Sequence, residues 1–135
     1  MMLKVALALV LLAHGIGHSM GLLQVFKVAQ VNPQWQGDSW VLTSVAGTTA
    51  TQVVGIVLWT AAMIGFAGVA GVVVGWLPAT WWQPLAVGSA LLSLVGLLVF
   101  PTAFPTFSTI GAAAIDIALL VAVLRFAWTP ADLAA

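Results

Sequence analysis

The sequence predicts an all-α integral membrane protein, a bundle of four transmembrane helices that forms one domain over residues 1–135. The first observation is composition: 63% of the residues are hydrophobic and 4% are charged, whereas soluble domains have roughly 25% charged residues. The second is arrangement, because the apolar residues form four runs that reach the ~20 residues a membrane-crossing helix needs. These runs lack the polar alternation of outer-membrane strands.

The first predicted span covers residues 3–28 and is flanked by Lys4 and Lys27. Its beginning resembles a secretory signal peptide, but the apolar run continues past any plausible cleavage site. We therefore expect this segment to remain in the protein as its first span.

The second predicted span, residues 48–75, is the longest and follows a hydrophilic connector that contains Pro33 and Gly37. Both residues interrupt helices, so the connector separates two spans. Near the end of the second span, Gly71 and Gly75 form a small-xxx-small pair, which is typical of close helix packing or self-association in lipid.

The third predicted span covers residues 81–100 and ends before Pro101, and the fourth covers residues 109–128. Ser108 directly precedes the fourth span and is predicted as its N-cap, since serine side chains accept bonds from free helix N–H groups. Short turns shaped by proline connect these spans.

With four spans, both termini lie on the same side of the membrane. Lys4 and Arg125 flank spans on that side, and Lys27 lies opposite. The positive-inside rule therefore predicts a multi-pass protein of the inner (plasma) membrane with cytoplasmic termini. Tryptophans near the span ends are predicted to anchor in the headgroup region, namely Trp35, Trp40, Trp76, Trp81, Trp82 and Trp128.

Charge and cysteine content exclude several classes of function. Three basic residues balance three acidic ones, and none of the acidic residues is a glutamate. Nucleic acid is excluded as a partner, because there are too few cations to neutralise a run of phosphates. The absence of cysteine excludes disulfides, thiolate metal sites and thiol redox chemistry.

The ionisable residues His14, His18 and Asp116 all fall near the predicted membrane midplane. His14 lies ten residues after Lys4, which is about 15 Å along a helix, half of the ~30 Å hydrocarbon core. An aspartate at this depth costs roughly 2.5–3.5 kcal/mol, so it normally faces the bundle interior and has a partner. The two histidines share a helix face because they are four residues apart. We predict that Asp116 forms a hydrogen bond with His14 or His18.

Small residues occur on the same faces as these polar groups. Gly17 and Gly21 accompany the histidines, while Ala112 and Ala113 accompany Asp116. This pattern predicts close packing between the first and fourth spans. In the simplest interpretation, His14, His18 and Asp116 form a structural polar cluster that fixes helix register and binds nothing.

Two cofactor hypotheses use the same residues. Histidines at i and i+4 are suited to bidentate metal binding, and Asp116 would complete a set of His14, His18 and Asp116. Alternatively, His14 or His18 could be an axial ligand of haem or a chlorin pigment. Both histidines project from one face, so bis-histidine ligation of one haem would need a dimer.

A transport or proton-relay function is a further hypothesis, because histidine and aspartate inside membranes often lie on proton pathways. The small multidrug exporters have a similar size and number of spans, but they depend on a membrane-embedded glutamate, which this chain lacks. No serine-nucleophile constellation or phosphate-binding loop is present, so the sequence contains no candidate catalytic residue.

The chain resembles a group of small, uncharacterised bacterial four-helix membrane proteins. The shared stretch is His-Gly-x-x-His-x-x-Gly, which runs here from His14 to Gly21. The entry to the last span, Phe107 to Ile110, is also similar, although Gly111 and Ala112 follow where the group has Pro-Asn. The layout is loosely similar to DoxX-like membrane proteins as well. The resemblance implies four helices and a His pair with a role, and it implies no activity.

Taken together, these patterns favour a structural or accessory membrane subunit in contact with the lipid bilayer. We expect it to form a homo-oligomer or to belong to a larger membrane complex. The alternatives are a metal-binding or haem-binding redox protein and a small transporter.

Overall fold

The computed structural model describes residues 1–134, which are all-helical apart from turns and connectors. Within that range, four segments are long and apolar enough to cross a membrane: Met2–Val25, Thr43–Val73, Ala79–Val99 and Thr106–Arg125. The predicted four-helix fold is confirmed, and the chain is a small multi-pass membrane protein.

The first span consists of two helices, α1 (Met2–Gly17) and α2 (Ser19–Val25), which meet at His18. At the junction the His18 N–H donates to the Gly15 carbonyl at 3.1 Å, an i→i+3 bond of the tighter 3₁₀ type. The span ends at Val25 rather than at residue 28. The reason is that Lys27 has a positive φ of 57°, and its N–H caps the last turn.

The second span is α3 (Thr43–Val73). It begins before the predicted residue 48, but Gly47 interrupts it with a φ of 78°, and the regular helix follows that residue. Gly75 has a φ of 82°, and the N–H groups of Gly75 and Trp76 bond carbonyls of the last turn. Because Gly75 lies in this terminating turn, Gly71 and Gly75 do not form a packing pair on one helix.

The third and fourth spans contain α4 (Trp82–Val99) and α5 (Thr106–Leu120), and α5 continues as a π-helical turn to Arg125. The prediction that Ser108 caps the fourth span is wrong. Pro105, with extended backbone at φ −55° and ψ 141°, is the N-cap, so Ser108 lies in the first turn of α5.

Successive spans pack against each other: α1 and α2 against α3, α3 against α4, and α4 against α5. The predicted close packing of the first and fourth spans is wrong, because Gly21 contacts α3 instead and a Cβ atom on Gly17 would meet nothing within 4 Å. A Cβ atom on Gly15 would lie 2.7 Å from Cβ of Phe66, and one on Gly21 would lie 2.5 Å from the ring of Trp59. Glycine is needed here because aromatic side chains of α3 occupy the space of a side chain.

The bundle has two apolar cores, one in each half of its length. The core nearer the termini includes Phe66, Val69 and Trp82, and the core on the opposite side includes Trp59 and Phe100. The polar residues of the midplane lie between these two cores.

Two of the predicted interfacial tryptophans belong instead to the interior. Trp35 is 7% exposed and its indole N–H donates to the Asp38 carbonyl at 2.8 Å. Trp82 is also buried and donates to the Trp128 carbonyl at 2.8 Å. A buried indole needs such a partner for its N–H. The tryptophans with large exposed surfaces are Trp40, Trp76 and Trp81.

Candidate functional site

Asp116 is the centre of the polar site and is fully buried, with 0% of its surface exposed. His14 on α1 donates from Nε2 to Oδ1 of Asp116 at 2.8 Å. Ser93 on α4 donates from Oγ to Oδ2 at 2.5 Å. Each carboxylate oxygen therefore accepts a bond from a different helix. We call Ser93, Asp116 and His14 the polar clamp.

The sequence predicted a hydrogen bond between Asp116 and one of the two histidines, and the polar clamp contains such a bond. It also contains Ser93, which the sequence did not predict. His14, not His18, bonds Asp116. Ser93 is not predicted as a partner of Asp116, because a serine on a helix can bond its own backbone, yet its hydroxyl donates to Asp116. The Ser89 hydroxyl instead donates to the Leu85 carbonyl of its own helix at 2.6 Å.

His18 lies one helical turn from His14 and takes no part in the polar clamp. It is 3% exposed, and neither ring nitrogen has a hydrogen-bond partner among residues 1–134. Its ring lies edge-on to that of His14, with 5.4 Å between centroids, and nearly parallel to that of Phe66 at 6.3 Å. Phe104 approaches it edge-on, also at 6.3 Å. The two histidines thus have different environments despite their shared helix face.

A cavity of about 200 Å³ adjoins both histidines. It lies between the first span and the beginning of α5, and Ser108, Gly111 and Ala112 of α5 line it. Gly17 lines the opposite side, and a Cβ atom there would meet nothing within 4 Å. The space that a close contact between the first and fourth spans would fill is therefore open.

A second groove, of about 410 Å³, lies between α1 and α5 on the side of the termini. Its lining is apolar and includes Leu7, Leu11, Ile115 and Leu119. The His14–Asp116 bond thus crosses between α1 and α5 with an open space on either side of it. We call this face of the bundle the α1–α5 seam.

The candidate metal ligands do not form a three-residue group. Within residues 1–134, no group of three or more histidine or acidic side chains is arranged to hold a metal ion. His14 and Asp116 are bonded to each other, while His18 bonds neither. A metal ion at His14 and Asp116 would have to replace their hydrogen bond.

No family model matches the chain, and no match was found among curated proteins or solved structures.

Proposed function

We propose that this small polytopic membrane protein is a structural or accessory subunit, and that the polar clamp holds its helices in register rather than performing chemistry. The observation that carries the proposal is that both oxygens of fully buried Asp116 accept hydrogen bonds, from His14 on α1 and Ser93 on α4. A carboxylate satisfied on both sides by its own bundle is suited to joining three helices.

The energetics agree with this role. A single interhelical hydrogen bond in a membrane contributes only ~0.6–2 kcal/mol. Removal of one partner costs more than the bond itself when it leaves a buried charged group without its donor. The polar clamp therefore disfavours any helix rotation that separates His14 from Asp116, and it does so where the α1–α5 seam has few other contacts.

A double-mutant cycle tests the polar clamp. We expect His14→Ala and Asp116→Ala to show a coupling of about 0.6–2 kcal/mol in unfolding experiments in detergent. The matched control is His18→Ala with Asp116→Ala, because His18 is also buried but does not bond Asp116. Equal coupling for the two histidines would contradict the proposal.

The accessory role is tested by the size of the solubilised assembly. We expect a homo-oligomer or a larger complex when the protein is extracted gently from its own membrane and its mass is measured. A monomer would argue against a subunit role. Cross-linking in native membranes and the mass after extraction would both identify it.

A metal-binding or haem-binding redox function is the first alternative, and the observation in its favour is the unpartnered imidazole of His18. Absorption spectroscopy and elemental analysis of the purified protein test it. A Soret or chlorin band, or near-stoichiometric metal, that is lost in His14→Ala or His18→Ala would replace the structural proposal with a cofactor function.

Transport or proton relay is the second alternative, since it would use the same membrane-embedded Asp116. Its signature is a pH-dependent flux of an ion or small molecule in proteoliposomes that Asp116→Asn abolishes. The polar clamp proposal expects no such flux in the parent protein.

We also propose an inner-membrane location with cytoplasmic termini, supported by Lys4 and Arg125 on the terminal side and Lys27 opposite. The chain contains no cysteine, so single cysteines can be added directly. A membrane-impermeant thiol reagent applied to bacterial cells should label Gln34→Cys in the connector and leave Thr129→Cys unlabelled. The reverse pattern would invert the orientation.

We further propose that the chain belongs with the small bacterial four-helix proteins that share the His14–Gly21 pattern. Support comes from the distinct contact made by each motif residue: His14 bonds Asp116, Gly15 packs against Phe66, and Gly21 packs against Trp59. A structure of another member should contain the same histidine–aspartate bond and the same glycine–aromatic contacts.

A further inference from the structure

A polar pocket of about 540 Å³ lies at the end of the bundle opposite the termini. Residues 24–30 at the end of the first span, residues 35–37 of the connector, and Gln52 of α3 line it. Its lining contains four glutamines and one lysine, namely Gln24, Gln30, Gln36, Gln52 and Lys27. Among residues 1–134 no acidic residue lines the pocket, so its only charged side chain is a cation. Asp38, the acidic residue of the connector, lies outside the lining, and its carboxylate accepts a bond from a connector N–H.

Lys27 has a backbone conformation that favours glycine. Its φ is 57°. The Lys27 N–H donates to the Gln24 carbonyl at 3.0 Å, and the Val28 N–H donates to the Leu23 carbonyl at 2.8 Å, which closes the last turn of α2. Left-handed backbone costs free energy in a residue with a Cβ atom, because that atom crowds the following carbonyl oxygen. The chain thus has a lysine where glycine would be less strained, and strained residues of this kind cluster at binding sites.

Gln52 adds a half-buried amide from α3. It lies five residues after Gly47, inside the segment Thr43–Val73, so it is a polar residue of the span itself. A Cβ atom on Gly37 would collide with Nε2 of Gln52, and Gly37 has a φ of 81°. The connector therefore needs glycine at this position to approach the amide so closely. This contact fixes the distance between the connector and α3 on one side of the pocket.

The pocket lies where the first span leaves the membrane. That span ends at Val25, and Lys27 follows two residues later, which is the level of the lipid headgroups. A lysine ammonium binds phosphate as a point charge, and the N–H groups of a glutamine amide donate to the same kind of oxygen. A cation beside neutral donors, with no carboxylate in the lining, is suited to a phosphate group.

We propose that this pocket binds a phosphate group, with Lys27 against the phosphate oxygens and Gln52 as a hydrogen-bond donor to them. The position at the membrane surface favours an anionic lipid as the source of the phosphate, and a free phosphate ion has the same chemistry. The site is independent of the polar clamp, which shares none of the residues that line this pocket.

Carbon NMR of the protein in dodecyl maltoside micelles tests the site. The chain has two lysines, Lys4 and Lys27, so ¹³C-labelled lysine observed at Cε reports on each, and Lys4→Arg assigns the two signals. The probes are dioleoylphosphatidylglycerol, inorganic phosphate, and dioleoylglycerol, which has the same chains without the phosphate. We expect phosphatidylglycerol to shift the Lys27 signal in a saturable manner and to leave Lys4 near its original position. Dioleoylglycerol should shift neither.

Two variants separate a specific pocket from the general attraction of a lysine to anionic lipid. Gln52→Leu removes the amide and keeps a side chain of similar size, and it should weaken phosphatidylglycerol binding about tenfold, the loss expected for one hydrogen bond. Gln83→Leu is the matched control, because Gln83 is an exposed glutamine at the start of α4 that does not line the pocket. The control should bind as the parent protein does. Gln36→Ala replaces Gln52→Leu if circular dichroism shows that this variant fails to fold.

Inorganic phosphate identifies the source of the ligand. A saturable Lys27 shift with inorganic phosphate alone, weakened by Gln52→Leu, would support the phosphate site and assign it to a soluble ligand. Three results would overturn the proposal: equal shifts of Lys4 and Lys27, equal Lys27 shifts with dioleoylglycerol and phosphatidylglycerol, or unchanged affinity in the glutamine variant of the pocket. A Lys27 signal that responds to none of the probes would overturn it as well.

Discussion

The two sides of the first span differ in packing: the side toward α3 is in tight contact, and the side toward α5 faces open space. Toward α3, Gly15 and Gly21 bring the backbone against the side chains of Phe66 and Trp59, so that no space remains for even a methyl group. Toward α5, Gly17 faces an open cavity, and the His14–Asp116 bond crosses the α1–α5 seam. Glycine therefore has two uses within one motif: it allows contact on one side and leaves space on the other.

This difference separates a tightly packed side of the first span from an open one. The α3 side depends on van der Waals contact, which is the main source of helix association in lipid. The α5 side has a polar bond of modest strength and two cavities, so it is the less tightly packed side.

The largest expected effect comes from the tight side. Gly15→Ala and Gly21→Ala should each lower the free energy of unfolding by about 1–3 kcal/mol, because the added methyl group overpacks a filled interface. For Gly21 the clash is with the ring of Trp59, which is only 1% exposed and has little room to move. Unfolding in detergent, followed by tryptophan fluorescence, measures the loss. Unchanged stability in both variants would mean that the two sides do not differ in packing.

The next effect concerns the polar clamp. Ser93→Ala should cost about 1–3 kcal/mol, because it leaves Oδ2 of buried Asp116 without its donor. Ser89→Ala is the matched control on the same helix, since the Ser89 hydroxyl bonds only the Leu85 carbonyl one turn earlier. We expect the same unfolding assay to show little change for the control. If the two serine variants were equally destabilised, Ser93 would have no special role at the seam.

The sequence predicted the parts of this arrangement that depend on hydropathy and on the cost of burial. The apolar runs predicted the four spans, and the depth of Asp116 required a partner among the histidines. It did not predict which histidine bonds Asp116, because that depends on how α1 rotates against α3, and the aromatic residues that set this rotation lie far away in the chain. Ser93 gave no signal, since a serine can satisfy its hydroxyl within its own helix.

Trp35 and Gly17 illustrate the same limit. A tryptophan in a polar connector is typical of the headgroup region, but the connector folds back so that Trp35 contacts Trp59, with 5.7 Å between ring centroids. Gly17 and Gly21 look equivalent in the sequence, yet one lines a cavity and the other contacts an indole. Local pattern identifies small residues, and only the tertiary arrangement determines whether they provide contact or space.

The smallest expected effect has the opposite sign and distinguishes the two sides most directly. Gly17→Ala should raise the free energy of unfolding by about 0.5–1 kcal/mol, because alanine favours the helix and its methyl group has room. Gly88→Ala on α4 has equally open surroundings and should be stabilised to a similar extent. The same detergent unfolding assay measures both. Loss of stability in Gly17→Ala alone would mean that α5 packs closely against Gly17 in the bilayer, so that the seam is closed and the two sides of the first span are packed alike.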